Sequence, residues 1–441
     1  MRRRFFLAAP SLVLRGQPPA DGKVTFPPRW SSAYTVDTDH PHHLVNREGR
    51  HLFVLNKTAW AYFACKHPEA FLERSRQQGI TVIRVALEGR IYFSALGMDM
   101  WPWGGTRERP EWNRFNEPYW KEVERRIRLA GEAGIGLDVV LYANLHPGGD
   151  AIETHRPYLQ RTIQQLGQYA NILTWEVANE YLENETFQDA AGKFLAASDP
   201  LRRPVCTSDG TTDDAAWPQK SWVGLAVVHT CTGSTRDWPL GAWYQSVARN
   251  VRAHDKPAFN NESGREKRHR NDDPVHRRKQ SWTWCCCGAY WTYHSWEGCE
   301  GIDDASYRGP GSEYLKPLSD FFQSVPFWRL DPNHTAVRVA GPGLVVSVRA
   351  TPERDEVLAY LCTEQTGAAV EGQAAQIRLP AGEYQISFLR PVDTIVTGGS
   401  PCSSEGVGRT QTVSLPAFTD DLLIRIQQTR RGKQRVVKGT G

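Results

Sequence analysis

Two carboxylates stand where apolar runs stop. The stretch Trp175-Glu-Val-Ala-Asn179-Glu180 is an apolar strand that ends in Asn-Glu. The stretch Lys256-Pro-Ala-Phe-Asn-Asn-Glu262-Ser-Gly264 is a second short strand ending in a carboxylate. Between them there is room for two more strands and their helices. A pair of carboxyl groups suits the cleavage of an acetal linkage between sugars with retention. One carboxylate attacks the anomeric carbon, and a second acid protonates the leaving oxygen and later deprotonates water. Retention needs the two groups about 5–5.5 Å apart, and mutual repulsion would then keep one of them protonated. Taken singly, a Glu at a strand end is an ordinary surface residue; only the pair within one repeating frame carries the chemistry.

The frame is a β/α alternation. Strands are expected at 51–56, 80–86, 136–142, 172–178, 204–208, 223–228, 257–260 and 289–293, and part of 281–288 reads as the close of a helix. Helices are expected at 68–78, with Gly79 as C-cap, at 118–133 and 157–169, and a closing helix at 314–325. The fold class is therefore α/β, a (β/α)8 TIM barrel with Glu180 at the end of strand four and Glu262 at the end of strand seven. Active sites of such barrels lie at these C-terminal strand ends. An open doubly wound sheet is the alternative, but no Gly-rich phosphate loop follows the first strand. From about residue 331 the pattern changes to short alternating strands with Gly/Pro turns, which reads as a small all-β sandwich. A chain of 441 residues has room for both. The expected division is 1–40 leader and extended segment, 41–328 barrel, 329–428 sandwich, and 429–441 basic disordered tail.

The Asn179-Glu180 and Glu262 motifs resemble clan A of the glycoside hydrolases, the "4/7" superfamily. Asn56-Lys-Thr-Ala-Trp60, followed by Gly79-Ile-Thr-Val-Ile-Arg84, is similar to its cellulase-like, apiosidase-like branch. That branch usually shows Gly-Asp-Thr-Ala-Trp where this chain has Asn56-Lys57-Thr58-Ala59-Trp60. Members often carry a C-terminal β-sandwich labelled collagen-binding. The resemblance implies that Glu180 is the acid/base and Glu262 the nucleophile, that Asn179 binds the sugar 2-hydroxyl, and that Arg84 lies under the nucleophile. Arg84 could equally be an ion-pair partner of Glu176. His229, ending strand six, would orient the nucleophile or the sugar, or be a satisfied core His. Asn144 and His146 follow strand three and could line a sugar subsite. Trp291 or Trp296 could be a stacking platform beside strand eight. Trp101 and Trp103 could form a further subsite or simply pack.

Sixteen Trp residues suit carbohydrate stacking, although most such residues fill cores. Net charge is +4, and the basic clusters at 265–270, 277–279 and 430–438 lack a nucleic-acid recognition motif. They read as a solvated loop and a tail. Nine cysteines show no C-x-x-C or His/Cys metal spacing. Cys285, Cys286 and Cys287 read as a strand segment, the middle one facing away from its neighbours. No metal or cofactor is expected, the partner is a carbohydrate, and no segment is long enough to span a membrane. Met-Arg-Arg-Arg followed by an apolar run resembles a secretory leader interrupted by Pro10, so export is an open expectation. Two rival readings are a non-catalytic glycan-binding barrel and an adhesive module. Oligomeric state and sugar identity are not legible.

Overall fold

The computed structural model describes residues 26–431, except 90–98, 150, 211–212, 232–239, 268, 303, 305, 342 and 407–408. Residues 1–25 of the expected leader and the tail beyond 431 lie outside that range. Eight parallel strands make one sheet: β1 (Leu55–Thr58), β2 (Val82–Ala86), β3 (Gly136–Tyr142), β4 (Ile172–Ala178), β5 (Val205–Cys206), β6 (Ala226–His229), β7 (Ala258–Glu262) and β8 (Tyr290–Tyr293). They run in the order β6-β7-β8-β1-β2-β3-β4-β5. A single bridge from Val205 to Val223, just ahead of β6, brings the two edges together. The sheet is thus a nearly closed barrel. β3 and β4 are buried along their whole length, as parallel strands covered on both faces must be.

Helices α1 (Pro68–Gln77), α2 (Glu117–Glu132), α3 (Ile152–Leu166), α4 (Glu185–Ser198), α5 (Leu240–Arg252), α6 (Pro274–Cys286) and α7 (Leu315–Gln323) alternate with the strands. Gln78 is the C-cap of α1, and Gly79 follows it at φ +77°. A Cβ at Gly79 would also lie 2.8 Å from Ser319 Cβ, so both backbone and packing require glycine there.

Several expectations are corrected. β1 begins at Leu55 rather than residue 51; Leu52, Phe53 and Val54 are buried but precede the ladder. Helix α3 starts at Ile152, not at Pro157, and runs through that proline at the loss of one early backbone hydrogen bond. The cysteine triplet is not a strand: Cys285 and Cys286 close α6 and Cys287 is its C-cap. Gly288 at φ +83° then ends the helix. A short apolar run does not distinguish helix from strand by period alone. All three cysteines are buried, and none of the nine is in a disulfide.

The basic cluster 277–279 is likewise not a solvated loop. Arg277, Arg278 and Lys279 lie buried on α6. Arg278 pairs with Asp421 at 2.9 Å and Lys279 with Asp420 at 2.9 Å. These ties fasten the barrel to the C-terminal region, whose strands are β9 (Asp331–Pro332), β10 (Val337–Val339), β11 (Leu344–Ala350), β12 (Glu356–Thr363), β13 (Ala374–Ile377), β14 (Gly382–Leu389), β15 (Val396–Ser404), β16 (Gln411–Ser414) and β17 (Asp421–Arg431). They form an antiparallel sheet β9-β11-β12-β17-β14-β15 and a smaller one, β10-β13-β16.

β12 shows why every one of its residues is buried. Val357, Ala359 and Leu361 face the core between the two sheets. Leu358, Tyr360 and Cys362 join the barrel's core, where Tyr360 stacks on Trp282 of α6 with ring centres 5.8 Å apart. The alternation of side chains along a strand serves two cores at once. Among the described residues no helix is long and apolar enough to cross a membrane.

Candidate active site

Side chains from β4, from the segment after β5 and from β7 converge on one guanidinium. Arg84 lies on β2 and is fully buried. Its Nε and Nη2 donate to Glu176 at 2.8 and 2.7 Å, and its Nη1 donates to Glu262 Oε2 at 2.9 Å. Nη2 also donates to Asn179 Oδ1 at 2.8 Å, and the guanidinium sits over the Trp60 ring at 4.5 Å. Both sequence readings of Arg84 therefore hold together: it underlies Glu262 and it pairs with Glu176. Ser208 Oγ at 2.6 Å and Asn261 Nδ2 at 3.0 Å complete the hydrogen bonds to Glu176. Two donors thus meet each oxygen of Glu176, which gives that carboxyl group a structural place under the site.

Glu180 and Glu262 approach each other across the mouth. One oxygen of each, with a ring nitrogen of His229, fall within 4.8 Å of one another. His229 Nδ1 is 2.9 Å from Glu180 Oε1 and 3.7 Å from Glu262 Oε2. The sequence places His229 at the end of β6, and it bridges the two carboxylates there. The two acids differ in setting. The Glu180 side chain is 40% exposed and that of Glu262 only 10%. Glu180 has φ +50°, a left-handed backbone that a non-glycine residue holds at a cost of about 1–3 kcal/mol. Its N–H donates to Ser208 Oγ at 3.4 Å. Its carboxyl lies over Gly210, where an added Cβ would sit 2.7 Å from Glu180 Cδ.

Burial by itself would raise the Glu262 carboxyl. Nearby positive charge from His294, His229 and Arg84 outweighs it and holds the group at about 2, against an upward push from Glu180. His294 is itself driven well below its usual range by burial and by Arg265. Arg84, which stays charged across the pH range, donates to Glu262 at 2.9 Å, and Glu262 is ionised at neutral pH.

The remaining predicted residues spread out from this centre. Asn144 and His146 follow β3; the Asn144 N–H donates to Glu88 at 2.9 Å. His146 is exposed and stacks on Tyr181, next to Glu180, at 3.9 Å between ring centres. His146 thus lies on the acid/base side of the mouth. Trp291 is 1% exposed and has no face to offer a ligand, so it is not the platform. Trp296 is half-buried, with the Arg265 guanidinium 4.3 Å from its ring. Trp101 and Trp103 are buried and pack with each other at 4.9 Å, and Trp103 also meets Tyr158 at 4.7 Å. Packing is their role, not a subsite.

Sequence reasoning missed Ser208, Asn261, His294, Arg265 and Glu300. His294 directly follows β8, and position at a strand end was the available signal. Among the described residues, three groups of acidic, His and Cys side chains bring potential ligand atoms within 4.8 Å: Cys231–Glu262–His294, Asp138–Glu176–Cys206 and Glu180–His229–Glu262. Each contains Glu262 or Glu176, whose charge Arg84 already meets, which disfavours a further cation.

No curated protein sequence matches the chain. Among solved structures, one described as a glycoside hydrolase superposes with a TM-score of 0.70 at 14% identity, over 92% of this chain and 99% of the other. A glycoside hydrolase family 5 structure from Bacteroides vulgatus superposes with a TM-score of 0.69 at 15% identity, over 92% of this chain and 95% of the other. An endo-beta-1,4-mannanase from Thermotoga petrophila reaches 0.50 at 14% identity, over 84% and 98%. At these identities the likeness is one of fold. The model of the apiosidase-like catalytic domain matches residues 38–295, a span that holds Arg84, Asn179, Glu180, His229 and Glu262, and the chain belongs to the apiosidase-like family.

Proposed function

We propose that the protein is a retaining glycoside hydrolase acting on an oligosaccharide or polysaccharide. The carrying observation is the pair Glu180 and Glu262 at the ends of β4 and β7, with oxygens of each inside one 4.8 Å cluster. That spacing suits double displacement rather than the wider separation that leaves room for a water between the acids. Glu262, ionised and held by Arg84, attacks the anomeric carbon. Glu180, the more exposed of the two, protonates the leaving oxygen and then takes a proton from water. Asn179 gives its Oδ1 to Arg84, which turns its amide N–H group toward a sugar 2-hydroxyl, a contact that strengthens in the transition state. The His146–Tyr181 stack borders the side on which the leaving group departs. The sandwich acts as an accessory unit packed on the barrel.

The test is a screen of the purified protein against aryl glycosides and polysaccharides beside Glu180→Gln and Glu262→Gln. The reading predicts turnover by the wild type and a loss of several orders of magnitude in both variants. Unchanged turnover in either variant removes that residue from its role.

A further inference from the structure

The barrel and the sandwich leave a cleft of about 580 Å³ at their seam, within the range of about 300–1,000 Å³ in which small ligands are held. One wall is Arg249, in the last turn of α5. The other walls are His334 and Arg338, before and on β10, and Gln373 and Gln376, before and on β13. The floor is aliphatic: Val339 and Val346 lie half-buried over the core between the two sheets. Helix α5 follows β6 and leads into the start of β7. Its last turn therefore lies at the end of the barrel opposite Glu180 and Glu262, and the cleft is separate from the catalytic mouth.

The cleft gathers polar groups whose hydrogen bonds are unspent. Among the described residues, none of these five polar side chains has a hydrogen-bond or ion-pair partner, and no Asp or Glu lines the cleft. Neighbouring arginines are spent. Arg252 pairs with Asp331 at 2.8 Å, and Arg349 donates to the carbonyl oxygens of Leu330, Phe327 and Cys285. Arg249 and Arg338 are thus two permanent positive charges with no anion opposite them, and a guanidinium fork suits carboxylate or sulfate oxygens. Partial burial and Arg249 hold the His334 imidazole below its usual range, so at neutral pH it is an uncharged polar ring. The two glutamine amides both give and accept hydrogen bonds, as sugar hydroxyls require, and the aliphatic floor takes the C–H face of a sugar ring. We propose that this cleft is a second binding site, for an acidic glycan whose anionic groups meet Arg249 and Arg338 and whose hydroxyls meet Gln373 and Gln376. It holds a polymer chain on the protein away from the site of cleavage. The choice of a glycan rests on the glycosidase reading above, but binding here needs no turnover.

The test is isothermal titration calorimetry of the full-length protein with alginate oligosaccharides, heparin oligosaccharides, neutral manno-oligosaccharides and a single-stranded oligonucleotide. The variant is Arg249→Gln/Arg338→Gln. A control, Arg47→Gln/Arg409→Gln, removes the same charge from two exposed arginines elsewhere. The expected result is binding of an acidic glycan that weakens about tenfold or more in Arg249→Gln/Arg338→Gln and is unchanged in the control. Binding of alginate alone identifies carboxylate as the recognised group, of heparin alone sulfate, and of both any anionic sugar. No binding of either acidic glycan overturns the proposal. So do equal binding of the neutral glycan, tighter binding of the oligonucleotide, and equal losses in the variant and the control. Hydrogen exchange of the wild type needs no variant: the acidic glycan should protect residues 334–340 and 373–377, and protection confined to other segments contradicts the site. Turnover of small aryl glycosides should be the same in Arg249→Gln/Arg338→Gln as in the wild type, so a failure of binding here and a failure of the glycosidase reading are read separately.

Discussion

Replacing Arg84 with Met probes how the site is held together. Methionine keeps an unbranched stem that fills much the same space but removes the guanidinium shared by Glu176, Glu262 and Asn179. Breaking a buried pair and leaving its partner charged costs about 3–5 kcal/mol. Glu262 adds a pH dependence. Its carboxyl is held at about 2, against an ordinary value near ~4.3, and at ~1.36 kcal/mol per unit the fold favours its charged form by about 3 kcal/mol. The folded value lies below the unfolded one. This contribution is therefore complete above about pH 5 and is lost as pH falls toward about 2. In Arg84→Met, Glu262 keeps His294 and His229 beside it but loses its permanent cation, and its folded value rises from about 2. The fold then favours the Glu262 charge less at neutral pH, and the difference from wild type fades on acidification. Urea denaturation at about pH 7.5 and about pH 4.5 should show a loss of about 3–5 kcal/mol at the first and a clearly smaller loss at the second. A loss below about 1 kcal/mol at neutral pH, in the range of an exposed pair, would refute the reasoning, and so would equal losses at both.

Two further outcomes follow from local geometry. Lys57 stands where the branch carries Asp, and it is fully buried in a pair with Glu297, with Gln78 at 3.0 Å; Lys57→Met should cost about 3–5 kcal/mol in denaturant melts, and Lys57→Met/Glu297→Met should regain most of that. Gly210→Ala should displace the Glu180 carboxyl, which an added Cβ meets at 2.7 Å, and so lower turnover about 100-fold with a thermal midpoint close to wild type; a turnover within about twofold of wild type would show that Glu180 is free to move aside without consequence.

The fold was legible where hydrophobic period and length agree. The expected bounds of β3 and β4 match the structure residue for residue, because seven-residue apolar runs between polar helices admit one reading. The cysteine triplet failed because an apolar segment at a helix end has no period of its own. In the site, the residues at strand ends were visible as such, and Arg84, Glu180, His229 and Glu262 do converge. The supports were not. Ser208, Asn261 and Glu300 act through distances set by closure of the barrel, and nothing in their local sequence marks them. Trp291 and Trp296 read alike because an aromatic near a strand end looks the same in sequence whether it opens to solvent or is covered. The basic run 277–279 misled similarly: its acidic partners Asp420 and Asp421 lie in another part of the chain.

The most direct test of the central claim is covalent trapping of the nucleophile. The protein is incubated with 2-deoxy-2-fluoro glycosides bearing dinitrophenolate leaving groups, with the sugar chosen from the activity screen, then digested and mapped by mass spectrometry. Double displacement through Glu262 predicts a single fluoroglycosyl adduct on the peptide that contains Glu262, absent in Glu262→Gln. An adduct on a different carboxylate, or steady turnover of the reagent with no adduct at all, would contradict it.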